Sequence, residues 1–212
     1  MITQKDLHSI LEIFKKNNPN PRSELTYVND YTFMVAVILS AQATDKGVNK
    51  ATPALFAKVK TPEAMLKLGL DGLKEYIKTI GLYNNKAKSI INLSQELVSK
   101  HNGKMPRHRE DLEKLPGIGR KSANVFLNQI YNEPVIAVDT HVIRLSERLD
   151  LSDNIKPEKI EQDLEKIVPS VYKSNISNWL VLHGRYICQA KKPLCDQCPI
   201  QQYCKYYREM VK

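Results

Sequence analysis

The sequence has no long hydrophobic run. Its longest, Phe33 to Leu39, falls far short of the roughly 20 residues a bilayer-spanning helix needs, which excludes a membrane segment. It has no apolar signal core either: Lys5, Asp6, Glu12 and Lys15 break up the N-terminus, so secretion is not expected. No internal repeat, low-complexity tract or disordered tail is present. Cysteine is missing until position 188, and then Cys188, Cys195, Cys198 and Cys204 fall within 17 residues. A secreted protein would spread its cysteines as staples; clustered cysteines in a chain expected to be intracellular read as metal ligands. Acidic residues are outnumbered, 23 against 32 Lys and Arg. The net charge of +9 favours a nucleic acid or an anionic surface as partner.

The excess of positive charge is local. Residues 100–121 carry 7 Lys or Arg and 3 Asp or Glu, and residues 185–212 carry 6 and 2. Those two stretches hold +8 of the +9, whereas 122–184 is net −3 with 6 basic and 9 acidic residues. Folding the two islands side by side would make one basic footprint.

Helical patterning runs nearly throughout. Ala87, Ile90, Ile91, Leu97 and Val98 mark one face of a helix over 86–101, and Ala123, Phe126, Leu127 and Ile130 one after Gly119. Thr61-Pro62-Glu63 reads as an N-cap, a proline at the first helical position and a first-turn acid. Asp71, near Gly69 and Gly72, marks a further short helix start. Residues 156–168 and 174–188 also read as helices. The one strand-like piece, Val135 to Val138, is too short to argue a sheet, and a buried extended segment explains it equally well. The fold class is all-α, with about ten short helices and a hinge between two helical lobes near Asn132-Glu133-Pro134.

Leu115-Pro116-Gly117-Ile118-Gly119-Arg120-Lys121-Ser122-Ala123 follows a helical stretch from Arg109 and opens a second helix. Glycines here permit φ > 0 and close backbone approach. The turn's N–H groups and the next helix N-terminus suit a phosphate, the pattern of a helix–hairpin–helix clamp on the DNA backbone. Lys121 sits in the first turn, where the helix dipole disfavours a cation. That field would lower its pKa and favour the neutral amine that Schiff-base chemistry requires; the alternative is an exposed lysine touching phosphate. Asp139 ends an apolar run and opens a helix over 140–150, as an N-cap, as a carboxylate that accepts a proton or steadies positive charge, or as both. His141 is a phosphate contact or a surface residue.

Cys188-x6-Cys195-x2-Cys198-x5-Cys204 contains only one close pair, which suits a [4Fe–4S] cubane better than a structural zinc site, the alternative. The loop between the first two cysteines would present Lys191 and Lys192 to solvent. Gln42, in LSAQATD at 39–45, and Leu82, in a glycine-bounded turn, are candidates for the side chains that fill the gap left by an extruded base.

Taken together, these residues resemble the endonuclease III family, bifunctional DNA glycosylase/abasic-site lyases of the helix–hairpin–helix superfamily. The resemblance runs from about Leu7 to Tyr206 and includes TIGLYNNKA at 79–87, LPGIGRKSANV at 115–125, VDTHVIR at 138–144, LHGRYIC at 182–188 and the cysteine spacing. It implies two lobes flanking a DNA groove: a six-helix lobe over 21–132 with its hairpin motif at about 109–131, and a cluster lobe made of 1–20 with 133–212. Lys121 matches the nucleophile, Asp139 the essential carboxylate, Gln42 and Leu82 the filling and wedging residues, and the four cysteines the [4Fe–4S] ligands. Gly117, Gly119, Arg120, His141, Lys191 and Lys192 complete the expected DNA contacts. The implied partner is double-stranded DNA with an oxidised pyrimidine or an abasic site, met in the cytoplasm at the nucleoid by a monomer. An adenine-excising relative lacks the lysine at the position of Lys121 and usually carries a further C-terminal domain. A non-catalytic DNA-binding module with four cysteines on zinc would be colourless.

Overall fold

The computed structural model describes residues 1–210. Among them the backbone forms twelve α-helices, two short 3-10 turns and no strand. The chain divides into two compact units, one of Glu24–Tyr131 and one of Met1–Ser23 with the chain from Asn132 onward.

The Glu24–Tyr131 unit is organised by α2 (Asp30–Ser40). Every residue from Tyr31 to Leu39 is buried. A helix apolar on all sides belongs in the middle of a bundle, and this is where the longest hydrophobic run of the sequence goes. A capping box starts it: the Asn29 side chain accepts from Thr32 N–H, and the Thr32 hydroxyl accepts from Asn29 N–H. The short helices α3 (Asp45–Ala51) and α4 (Pro53–Lys58) lead to α5 (Pro62–Ile77). Thr61 caps α5 by accepting from Ala64 N–H at 3.2 Å, with Pro62 at its first position. The helix breaks at Gly69, where φ is +74°, so Asp71 does belong to a second start. The next helix, α6 (Tyr83–Lys100), buries Ala87, Ile90, Leu93 and Leu97. Leu93 takes a place in the core that the pattern gave to Ile91 and Val98, both of which lie half-buried at its edge. Then come α7 (Arg109–Leu112), three residues shorter than the sequence pattern, and α8 (Arg120–Tyr131). Helix α2 packs on α6 and on α8, and α5 packs on α6.

The second unit joins α1 (Gln4–Asn17) to α9 (Thr140–Arg148), α10 (Pro157–Ile167), α11 (Ser170–Tyr186) and α12 (Lys205–Met210). Leu7, Ile10, Leu11 and Phe14 form the buried face of α1 and share a core with Val142, Leu145, Leu164, Ile176, Trp179 and Leu180. Burying each such side chain contributes about 1.5–3 kcal/mol. Trp179, the one tryptophan, packs its ring near Phe14 and donates its Nε1–H to the Asn18 carbonyl at 2.8 Å. The strand-like piece is a buried extended segment. Ile136, Ala137 and Val138 are inside, and Ala137 N–H donates to the Ser177 hydroxyl at 2.9 Å in place of a ladder bond. Asp150, in the left-handed region at φ 61°, accepts from Lys205 Nζ at 2.9 Å and from the Met1 amino group at 3.0 Å. Among the described residues no helix is long and apolar enough to cross a membrane.

Candidate active site

The turn between α7 and α8 rests on the buried side chains of Leu115 and Ile118, and Ile118 N–H donates to the Leu115 carbonyl at 3.2 Å. Gly117 is required twice over. Its φ is +80°, and a Cβ there would stand 2.9 Å from the Ser89 Cβ of α6. Gly119 differs from the sequence expectation: its φ is not positive, and a Cβ would meet nothing within 4 Å. Its carbonyl accepts from Ala123 N–H at 3.0 Å and so begins α8. Arg120 and Lys121 are therefore the first two residues of a helix whose leading N–H groups have no intrahelical acceptor. Lys121 is exposed.

Two further turns of the same unit are unusual. Gln42 and Leu82 both adopt left-handed backbone, at φ 53° and 59°, without being glycine. The conformation costs a residue with a side chain about 1–2 kcal/mol, and such strain gathers where a side chain must be displayed. Both are displayed: Gln42 is exposed, and Leu82 is 56% exposed, among the most exposed large apolar residues. The sequence placed Leu82 in a glycine-bounded turn; in the structure Leu82 itself takes the positive φ. Gln42 follows α2, Leu82 precedes α6 and Lys121 opens α8, so α2 and the two helices packed on it carry all three.

Asp139, His141, the cysteines, Lys191 and Lys192 belong to the other unit. Asp139 caps α9 through one oxygen: its Oδ1 accepts from His141 N–H at 2.8 Å and Val142 N–H at 3.0 Å. Oδ2 takes neither bond. His141 is half-buried, and its Nδ1 lies 3.1 Å from an Arg144 nitrogen. Burial pulls the His141 pKa below its ordinary value, against the opposing pull of Asp139.

The four cysteines line one recess, with Leu145, Leu149, Ile187, Leu194 and Ile200 around it. No three His, Cys, Asp or Glu side chains among the described residues are grouped to hold a single metal ion. Four thiols spread around an apolar recess fit a larger centre, and the donor set matches a cubane. Burial drives the Cys198 thiol up to about 11 and raises Cys195 and Cys204 as well, so only a cationic centre would hold these sulfurs as thiolates at neutral pH.

Two residues that the sequence pattern did not single out fasten this region. Arg144 donates to the carbonyls of Cys188 at 3.2 Å and Gly184 at 2.8 Å. Arg148 donates to the Cys188 sulfur at 3.2 Å and to the carbonyls of Gln189 and Ala190 at 2.9 and 3.0 Å. They lie one turn apart on α9, and that i,i+4 pair of arginines was the only signal available. Gly184 is kept free of a side chain by the same contacts, since its Cβ would stand 2.9 Å from Arg144. Leu194 N–H donates to the Ile187 carbonyl at 2.9 Å, which closes the loop and leaves Lys191 and Lys192 exposed.

Residues 35–170 match the family model of the HhH-GPD superfamily base excision DNA repair proteins, and residues 188–204 match that of the iron–sulfur binding domain of endonuclease III. By class, the chain is thus an enzyme of base excision DNA repair, built on a helix–hairpin–helix fold and carrying an iron–sulfur cluster. It is 54% identical to endonuclease III of Rickettsia conorii over 95% of this chain and 96% of that one. It is 49% identical to endonuclease III of Escherichia coli K12 over 93% of each. A solved structure of a trapped endonuclease III–DNA covalent intermediate, an estranged-adenine complex, superposes over the whole of both chains with a TM-score of 0.93 at 39% identity. The chain belongs to the endonuclease III family. Its activity is that of a DNA glycosylase and abasic-site lyase, and its cofactor is a [4Fe–4S] cluster.

Proposed function

We propose that this enzyme removes oxidised pyrimidines from duplex DNA and cleaves the resulting abasic site through an imine on Lys121. The observation that carries the reading is an exposed lysine in the first turn of α8, set directly behind a hairpin turn that only glycine at 117 permits. The Nζ lone pair attacks C1′ of the damaged nucleotide, and the C1′–N bond breaks with its electron pair going to the base, which leaves with a proton. Loss of the Nζ proton and opening of the sugar give the imine. Its electron withdrawal acidifies the C2′ proton, and β-elimination expels the 3′ phosphate. Water then hydrolyses the imine and frees Lys121.

Asp139 supplies the carboxylate, its Oδ1 held by the α9 cap and its Oδ2 left to accept a proton or to steady positive charge at the sugar. Gly117, Gly119 and Arg120 hold phosphate at the hairpin, with His141 and the Lys191-Lys192 loop as further phosphate contacts. Leu82 enters the base stack, and Gln42 fills the space of the extruded nucleotide. Cys188, Cys195, Cys198 and Cys204 hold the cluster, which cross-links the loop when bound. The enzyme acts as a monomer, in the cytoplasm at the nucleoid.

The test is borohydride reduction on a duplex carrying one thymine glycol. The native enzyme should yield a covalent protein–DNA adduct, and Lys121→Gln should yield none while still binding the duplex. An adduct of undiminished yield in the variant would remove Lys121 from the chemistry.

A further inference from the structure

Lys86 is a buried lysine that the chemistry above does not use. It lies in α6, is 6% exposed and meets no carboxylate; its Nζ donates to the Leu39 carbonyl at 3.0 Å. Burial lowers its pKa from the ordinary lysine value. A methionine or leucine would fill the same space without desolvating an ammonium, so core stability does not explain the choice of lysine. A broken local rule of this kind points to function.

Its two partners are the roots of the two displayed turns. Leu39 is the penultimate residue of α2, and its carbonyl is the one the turn itself leaves over. The Val37 carbonyl takes the Ser40 hydroxyl, Ile38 takes Ala41 N–H, and Ser40 takes Ala43 N–H. No basic residue lies in the last turn of α2, where the negative end of the helix dipole favours a cation; Lys86 reaches in from α6 to supply one. Three residues past Leu39 comes Gln42. At the other end, the backbone N–H of Lys86 donates to the Leu82 carbonyl at 3.1 Å. Lys86 thus shares the Leu82 carbonyl with Asn85 N–H, also at 3.1 Å, in the first turn of α6, and its side chain holds the base of the Gln42 turn.

We propose that Lys86 is a positioning residue for duplex reading: it sets the spacing between the Leu82 and Gln42 turns, so that wedging and gap filling occur together. This rests on the reading of Gln42 and Leu82 given above. A positioning role has a signature that general folding support lacks. An abasic site in single-stranded DNA has no opposite base and no stack to wedge, so its imine chemistry does not use the two turns.

The experiment compares Lys86→Met with the native holoenzyme on two substrates, a single-stranded abasic oligonucleotide and a thymine-glycol duplex. A third readout is the fluorescence of 2-aminopurine placed opposite an abasic site in duplex DNA. Borohydride trapping on the single strand should stay within twofold. Single-turnover excision from the duplex should fall at least tenfold, and the fluorescence rise on binding should be largely lost. Adding Leu82→Ala should then cost the duplex reaction little more, because the two changes act on one device. Duplex excision within twofold of native overturns the proposal. So does a parallel fall on both substrates, or a Leu82→Ala loss that simply multiplies. If Lys86→Met does not fold, Lys86→Leu, which also fills the space and removes the donor, carries the same comparison. A native enzyme that traps on neither substrate would sink the imine reading instead and is thereby distinguished.

Discussion

The two hairpin glycines should fail in opposite ways when each is replaced by alanine. At Gly117 the φ of +80° costs a side chain about 1–2 kcal/mol. A Cβ 2.9 Å from Ser89 Cβ, on a packed helix that cannot simply swing away, adds overlap on the order of 1–3 kcal/mol. Alanine's smaller unfolded-state freedom returns about 0.4–1 kcal/mol. Gly117→Ala should therefore lose about 2–3 kcal/mol, and thermal melting should fall by roughly 5–10 °C for a chain of this size. At Gly119 φ is not positive and nothing lies within 4 Å of the new methyl. The entropy gain there is offset by alanine being a poorer N-cap than glycine, so Gly119→Ala should melt within about 1–2 °C of native. Its open side is the one a phosphate would approach, and duplex binding should weaken about tenfold, or 1.4 kcal/mol. Melting followed by circular dichroism and fluorescence anisotropy with a tetrahydrofuran-containing duplex at fixed salt separate the two effects. A Gly117→Ala protein that melts like native would refute the turn geometry. A Gly119→Ala protein that binds like native would refute the phosphate clamp.

Leu82→Gly should raise thermal stability, by about 1 kcal/mol of relieved left-handed strain, while slowing duplex excision; a fall in melting temperature would contradict the strain argument. Replacing Lys191 and Lys192 together by alanine should leave melting unchanged and reduce the slope of log K against log salt by about 1.8 if both touch phosphate. An unchanged slope would place the loop off the DNA. Asp150 is held below the usual carboxylate range chiefly by its hydrogen bond from Lys205. Its contribution is thus present above the unfolded carboxyl value near about 4 and is lost as pH falls through the lower folded value. Asp150→Asn should flatten the acid side of the stability curve, and an identical acid limb in the variant would count against the bridge. Removing the cluster with ferricyanide and chelator should bleach absorbance near roughly 400 nm and speed proteolysis within 188–204. Protection of that loop in the apo protein would show that Arg148 and the Leu194–Ile187 bond alone suffice.

Features encoded within one turn of chain were legible before folding. The Thr61-Pro62 start, the break near Asp71 and the all-helical class follow from local pattern, and the run at 33–39 became the central helix because it is apolar on every side. The [4Fe–4S] cofactor was legible in the cysteine spacing. What the sequence hid depends on partners far along the chain. Lys86 reads as one more lysine until the Leu39 carbonyl, 47 positions earlier, is brought to it. Arg144 and Arg148 read as helix-surface charge until the carbonyls and sulfur of 184–190 arrive. The two positive-φ sites were hidden for another reason: glycine at 81 and small residues around 42 signal a turn, but not which residue bears the strain.

The order of the chain has a consequence during synthesis. The apolar face of α1 packs on residues of the second unit that are made only after the whole Glu24–Tyr131 unit has been synthesised. At about 5–20 residues per second, Phe14 waits roughly 8–33 s for Leu180. The intervening unit can close its own core in that interval, whereas Leu7, Ile10, Leu11 and Phe14 stay unburied throughout it. The first 17 residues are therefore the stretch most in need of a chaperone while the protein is being made.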